Sequence, residues 1–339
     1  MPKRLFCYFL EITNSMPSAY NKSSLSKAGS NMKKEIVRVE TAYSFARFEQ
    51  QLCALKATYP FLESGSAGRS VMGQPLYYLR LGRGPYQVFY NAAHHANEWL
   101  TTLLLMKWAE NYCRAYATGQ TFVAYPVGAL FNSSSIYLIP MVNPDGVDLV
   151  NGWPNYRHPQ LQAAAQLNRT GLPLPQVWKA NLHGVDLNLN YPALWEVQKK
   201  IKLNQGGLRA GPRDYCGPDP LCEPESRALV EFTCSHDFRL VIAYHTQGEE
   251  IYYQFNGKTP SGASILARRF AQVSGYALLA NPAEATGGGY KDWFIQKYGR
   301  PGFTIEAGKG VNPIPASQFD RIYRQNEALM FLGAIRNEK

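Results

Sequence analysis

The chain has 339 residues, 45% hydrophobic and 18% charged, a composition that supports one large α/β domain or two small ones with a sizeable core. No apolar run approaches the ~20 residues that cross a bilayer, so no transmembrane segment is expected, and six cysteines are too few for a disulfide-built scaffold of this length. The formal net charge of +10 suits anionic surroundings such as a polyanionic substrate, while the absence of any DNA- or RNA-binding motif argues against a nucleic-acid partner.

In chain order, Lys3 and Arg4 followed by Leu5 to Leu10 imitate a secretion signal only faintly. The apolar stretch is short, Glu11 interrupts it, and no small-residue cleavage site follows. Residues 11–35 are rich in Ser, Asn and Lys, so residues 1–38 are expected to be a flexible segment ahead of a folded domain at 39–339, with Met32 a plausible true start. Tyr43 to Leu55 has the spacing of an amphipathic helix and ends at a Tyr59-Pro60 turn. Two short strands, Ser64 to Val71 and Leu76 to Leu81, meet at Gly73-Gln-Pro75, and Tyr86 to Tyr90 reads as a buried strand behind the turn of Gly82, Gly84 and Pro85. Trp99 to Tyr112 follows as a helix. Ser135 to Val142 is an apolar strand ending in Asn143-Pro-Asp-Gly146, which has a turn signature, and residues 150–185 are loop-rich. A helix over Glu225 to His236, a strand over Arg239 to His245, a helix over Ser261 to Ser274, a strand over Gly302 to Glu306 and a helix from Ala316 to Asn337 complete the pattern. Cys216 and Cys222 flank Gly-Pro-Asp-Pro-Leu and are spaced for one local bridge, while the other cysteines show no metal-ligand spacing. Strands alternating with helices predict an α/β fold, a three-layer α/β/α sandwich around a mixed, mostly parallel sheet.

Four chemically notable residues, His95, Asn143, His245 and Glu306, fall at the ends of these strands, where α/β sheets gather their ligands. His95 and Glu98 are three residues apart, so in one helical turn both side chains reach a single cation. His245, distant in sequence, ends an apolar strand and enters the polar run Thr246-Gln-Gly-Glu-Glu250. Two neighbouring ligands plus a distant third, with water in the fourth position, is the usual layout of a catalytic zinc site. Asp186, in Gly184-Val-Asp-Leu-Asn-Leu-Asn190, suits the second ring nitrogen of His95. Glu306, a carboxylate at the end of an apolar strand, needs a partner or a function, and beside a metal it serves as general base.

With these motifs in place, the chain resembles the zinc carboxypeptidase family, the funnelin-type metallopeptidases, from about Tyr43 to Gly333. The resemblance rests on Tyr59-Pro60, Gly68-Arg-Ser-Val-Met-Gly-Gln-Pro75, His95-x-x-Glu98, Asn143-Pro-Asp-Gly146, Asp186-Leu-Asn188-x-Asn190, His245 and Glu306. It implies one zinc ion per chain held by His95, Glu98 and His245, with Asp186 behind His95, Glu306 as general base, and a peptidase domain over 39–339. The departures bear on substrate. Where the family carries Asn-Arg to grip a terminal carboxylate, this chain has Asn188-Leu189. The arginine nine residues earlier is replaced by Lys179, a positive charge without the bidentate fork. The family's mobile tyrosine falls at Glu284, and nearby Tyr290 is out of register.

In Trp178-Lys-Ala-Asn181, Gly184 to Pro192, Gly211-Pro-Arg-Asp-Tyr215 and Tyr244 to Ile251 the chain is similar to the bacterial γ-D-glutamyl-meso-diaminopimelate peptidase I group. That similarity implies cleavage of peptidoglycan stem peptides in a bacterium, in the cytoplasm or in association with the cell wall or spore. Lys179 is then expected to support the oxyanion, and Asn188 and Arg213 to bind substrate. The alternatives are an ordinary zinc metallocarboxypeptidase that removes C-terminal amino acids, against which Leu189 argues, and an inactive wall-binding protein, against which the intact ligand set and Glu306 argue. Oligomeric state has no signature in the sequence.

Overall fold

The computed structural model describes residues 35–336 apart from Trp153, Leu208 and residues 281–286. The chain divides after Glu35, and the fold described is that of Ile36 onward. The expected flexible segment lies outside the described residues up to residue 34. At its end, the Ile36 and Val37 amides donate to the Glu110 carboxylate at 2.8 and 3.2 Å.

The strands are β1 (Glu63–Arg69), β2 (Pro75–Leu81), β3 (Tyr86–Ala92), β4 (Thr121–Phe122), β5 (Tyr125–Pro126), β6 (Ser134–Ile139), β7 (Phe238–His245), β8 (Glu250–Tyr252), β9 (Ala277–Leu279) and β10 (Gly302–Glu306). All but the small β4–β5 pair join one sheet in the order β1-β2-β6-β3-β7-β10-β8-β9. Its centre is parallel, β6 to β3, β3 to β7 and β7 to β10, while β1–β2, β2–β6 and β8–β10 are antiparallel. The sheet is therefore mixed, as expected. Register brings the functional ends together: Glu306 lies opposite His245 on one side and Glu250 on the other.

The helices are α1 (Phe45–Thr58), α2 (Leu100–Ala117), α3 (Val127–Ser133), α4 (Pro144–Gly152), α5 (Pro159–Ala165), α6 (Leu174–Val177), α7 (Trp195–Asn204), α8 (Pro224–Cys234), α9 (Ala263–Ser274), α10 (Tyr290–Tyr298) and α11 (Phe319–Ala334). Successive strand residues point to opposite faces, which sorts them into two layers. From β3, Tyr90 turns to one side, where its ring meets Trp108 of α2 (centroids 6.3 Å apart) and its hydroxyl donates to the Met330 carbonyl of α11 at 2.7 Å. On that side Phe270 of α9 also packs on Phe303 of β10 at 4.8 Å. Phe89 turns the other way, onto Phe232 of α8 at 5.4 Å and Tyr290 of α10 at 6.0 Å. With both faces covered, the central strands are buried along most of their length rather than on alternate residues. No helix among the described residues is long and apolar enough to cross a membrane.

Two local expectations need correction. Asn143-Pro-Asp-Gly146 is not a free turn but the start of α4. Pro144 needs no amide partner at a helix start, and Asn143 Oδ1 caps the helix by accepting from the Gly146 amide at 3.0 Å. Gly146 is required there, since a Cβ would fall 2.8 Å from the Ala180 carbonyl oxygen. The Cys216/Cys222 pair forms no bridge, and both are free thiols. Cys216 is buried with Leu189 and Trp195, while the Cys222 sulfur accepts from the Asn190 amide at 3.2 Å.

Candidate metal centre and cleft

The site is assembled at the carboxyl ends of β3, β7 and β10. After β3 the chain passes His95, in extended conformation, into a single helical turn, Ala96–Glu98, that leads into α2. That turn places Glu98 Oε1 2.8 Å from His95 Nδ1. β7 delivers His245, whose Nδ1 lies 3.0 Å from Glu98 Oε2 and 3.2 Å from His95 Nδ1. All three side chains are buried, and one ligand atom from each lies within 4.8 Å of the others.

The arrangement fits a cation better than it fits itself. Two imidazole nitrogens 3.2 Å apart present either facing lone pairs or facing N–H groups unless one proton is shared between them. His95 Nε2 lies 3.1 Å from Asp186 Oδ1, so an N–H donated there leaves the Nδ1 lone pair turned toward Glu98 and His245. Two imidazole nitrogens and a carboxylate form a zinc donor set of the catalytic kind, which takes three protein ligands and a water. His245 Nε2 is buried without a partner, so nothing on that side competes for its other nitrogen.

The electrostatics agree with the geometry. Burial works against a charged His95, but Glu98 and Asp186 outweigh it and push the imidazole up to about 9. Burial would likewise raise Glu98, yet His95 and Lys179 hold it well below the usual carboxylate range. Asp186 is held down in the same way, against burial, chiefly by His95. Buried carboxylates outnumber the one lysine of this pocket, so it holds a proton tightly, and a dication would supply the positive charge that the proton brings. Glu306 moves in the opposite direction: burial first, then the nearby Glu98 carboxylate, push it up to about 8. A dication beside Glu306 opposes that rise and favours the ionised form a base needs.

A cleft of about 320 Å³ opens on this cluster, with Asn97, Gln176, Lys179, Arg213, Thr246 and Glu306 among its walls. Of the expected residues, the structure thus brings together His95, Glu98, His245, Asp186, Lys179, Glu306 and Arg213. Lys179 Nζ donates to Glu98 Oε1 at 3.2 Å, and the buried carboxylates around it keep the ammonium charged in spite of its own burial. Arg213 is half-exposed and donates from Nε to Asp214 at 3.1 Å. Asn188 is turned elsewhere: its Oδ1 accepts from the Tyr290 amide at 3.1 Å at the start of α10. Leu189 is buried against Trp195 and Cys216, so the position where the family carries its clamp arginine is apolar here. Tyr290 is in the core, its hydroxyl 2.8 Å from Thr233 Oγ1, and Glu284 lies outside the described residues.

Asn312 escaped the sequence reading. Its amide donates to Glu98 Oε1 at 3.3 Å and to the Thr246 carbonyl at 2.8 Å, tying a distant loop to the ligand cluster. A lone Asn-Pro pair carries no chemical signal. Asn143 also has a positional role beyond its cap, donating to the carbonyls of His94 and Ala180 at 3.1 and 3.0 Å and so bracing the segment that ends in His95.

The sequence pattern of the zinc carboxypeptidase family matches residues 48–329. The chain is 37% identical to the γ-D-glutamyl-L-diamino acid endopeptidase 1 of Lysinibacillus sphaericus over 88% of this chain and 74% of that protein. It is 36% identical to the uncharacterized protein YqgT of Bacillus subtilis (strain 168), over 89% of this chain and 80% of that one. Among solved structures, the carboxypeptidase A of Helicoverpa armigera superposes with a TM-score of 0.66 at 18% identity, covering 88% of this chain and 74% of the other. The murein-tripeptide amidase MpaA of Escherichia coli O157 superposes with a TM-score of 0.53 at 20% identity, covering 84% and 97%. At these identities the structural likeness establishes the fold.

Proposed function

The chain belongs to the zinc carboxypeptidase family and is a zinc metallopeptidase, and from that premise we propose that it hydrolyses the γ-D-glutamyl–diaminopimelate bond of peptidoglycan stem peptides. The observation that carries the choice of substrate is Leu189. An ordinary C-terminal exopeptidase needs a cation at that position to hold the terminal carboxylate, and here the side chain is apolar and buried against Trp195. The relative at 37% identity is named for the γ-D-glutamyl linkage, which supports the same reading. The proposed catalytic domain covers residues 39–339.

His95, Glu98 and His245 are the proposed zinc ligands, and Asp186 holds the His95 ring in the tautomer that offers Nδ1. When bound, zinc supplies Lewis acidity and a water of lowered pKa. Glu306 takes a proton from the attacking water and passes it to the departing amine nitrogen, so that the C–N bond breaks to leave a carboxylate and a free amine. The Lys179 ammonium stands beside the ligand cluster and offers positive charge to the oxygen on which negative charge develops. Arg213, on the cleft wall, offers a charge to a substrate carboxylate. Asn188 is the other proposed substrate-binding residue, through its side-chain NH2, since its Oδ1 already accepts from the Tyr290 amide.

Mass detection of products from L-Ala-γ-D-Glu-diaminopimelate beside ordinary peptides with free C-termini tests the reading. Release of diaminopimelate, with little trimming of the ordinary peptides, is expected. Efficient trimming of the ordinary peptides alone would return the chain to the metallocarboxypeptidase alternative.

A further inference from the structure

Two consecutive glutamates follow β7, and the fold treats them differently. Glu249 is largely buried and fully engaged: Lys309 lies 3.1 Å from one of its oxygens, and Arg321 and Gln325 hold the other. Glu250, the first residue of β8, faces the cleft. Its one polar contact among the described residues is the Tyr252 hydroxyl, which donates to Oε2 at 2.6 Å, and no Lys, Arg or His forms an ion pair with it. The carboxylate lies over Gly248, where a Cβ would fall 2.8 Å from the Glu250 carboxyl carbon, so the recess that holds it depends on that glycine.

Glu250 thus faces the cleft without an ionic partner among the described residues, opposite Glu306 across the β8–β10 ladder. The reaction gives it no task, since Glu306 already serves as base. The cleft is bipolar, with Lys179 and Arg213 on its walls as well as Glu250. A γ-linked D-glutamyl residue keeps a free α-carboxylate, which matches the cations. The amino acid released from it is a diamino acid, whose side-chain ammonium is the cationic group on the leaving side of the scissile bond.

We propose that Glu250, held in place by Tyr252 over Gly248, is the specificity residue that binds the side-chain ammonium of a diamino acid on the leaving side of the scissile bond. This rests on the substrate reading above. An ammonium that meets Glu250 Oε1 gains a charge-assisted hydrogen bond, and a neutral side chain of the same length leaves the carboxylate uncompensated. Tyr252 is a positioning residue, acting through the carboxylate it anchors.

The test uses a matched pair, L-Ala-γ-D-Glu-L-Lys and L-Ala-γ-D-Glu-L-norleucine, with the zinc-loaded wild type, Glu250→Gln and Tyr252→Phe. The wild type is expected to favour the lysine peptide in kcat/KM. Glu250→Gln is expected to shrink the lysine-to-norleucine ratio by about 10- to 100-fold, the worth of a charged hydrogen bond, with the loss carried mainly by KM. Tyr252→Phe is expected to move the ratio the same way by less. Zinc content and circular dichroism confirm that the variants are folded. An unchanged ratio in Glu250→Gln, or an equal fall on both peptides, overturns the proposal. Should the wild type cleave neither γ-linked peptide, the substrate reading fails on its own. The same lysine and norleucine pair in α-linked C-terminal form then still measures Glu250, and a wild-type ratio near one there overturns the inference.

Discussion

Glu98 illustrates how densely the residues of this site are used. Oε1 meets His95 Nδ1, Lys179 Nζ and Asn312 Nδ2, and Oε2 meets His245 Nδ1 and the Thr246 amide. Of these partners, His95 is legible in the sequence because a separation of three residues in one turn is a local fact, and His245 because it ends an apolar strand and enters a polar run. Lys179 was nominated for its charge, but its pairing with Glu98 depends on how the loop after α6 returns to the sheet. Two predictions belong to this scale. Glu306→Gln keeps the fold and the metal but cannot accept a proton, so kcat is expected to fall by roughly 10²- to 10⁴-fold with zinc content unchanged; full activity in that variant would remove Glu306 from its role. Asp186→Asn is expected to weaken zinc affinity by about 10- to 100-fold in competition with a chelator, because the His95 N–H then faces an amide instead of a carboxylate.

The elements were legible where apolar periodicity was strong, as in α2, β3 and β7, and obscure where it was not. The helix at 195–204 carries mostly polar and basic residues and was missed, as were the three-residue strands β8 and β9, too short to show alternation. Helix α8 begins with Pro224 and carries Glu225 in its first turn, fully buried, where it accepts from the Val71 amide at 3.2 Å and the Asn181 amide at 3.0 Å. Burial, reinforced by the nearby Asp145, pushes Glu225 up to about 7 in spite of those donors. The folded state therefore binds this proton more tightly than the unfolded chain. Its contribution to stability is fully present below pH ~4.5 and is lost as pH rises through about 7, on the order of 3 kcal/mol for a shift of that size. Urea unfolding between pH 4.5 and 8 is expected to show that decline in wild type and a flatter profile in Glu225→Gln. Equal slopes would mean that Glu225 is ionised in the folded protein.

At the scale of the whole molecule, a metal held by the proposed ligands would join the chain after β3 to the end of β7, and Asn312 on Glu98 adds a distant loop. Purified protein is expected to contain about one zinc per chain by elemental analysis. Since the folded chain binds the ion and the unfolded chain lacks the assembled site, free zinc at a thousand times its Kd adds about 4 kcal/mol of stability. Chelation is therefore expected to lower Tm by several degrees and zinc to restore it, whereas identical melting curves with and without metal would argue against a metal centre. The family, the α/β class and the candidate zinc ligands are legible in the sequence alone, because each depends on periodicity, on residue chemistry or on spacing within a turn. Tertiary structure decided which acid of the pair Glu249 and Glu250 is neutralised and which faces the cleft, that Asn143 caps a helix, that Cys216 and Cys222 stay apart, and that Asn312 reaches Glu98. The Glu249/Glu250 split and the Asn312 contact join residues far apart in sequence, through strand register and the return path of a loop, and neither leaves a periodic trace in the chain. The Asn143 cap and the separation of Cys216 from Cys222 are local, but a turn motif and a cysteine spacing are each compatible with more than one backbone path.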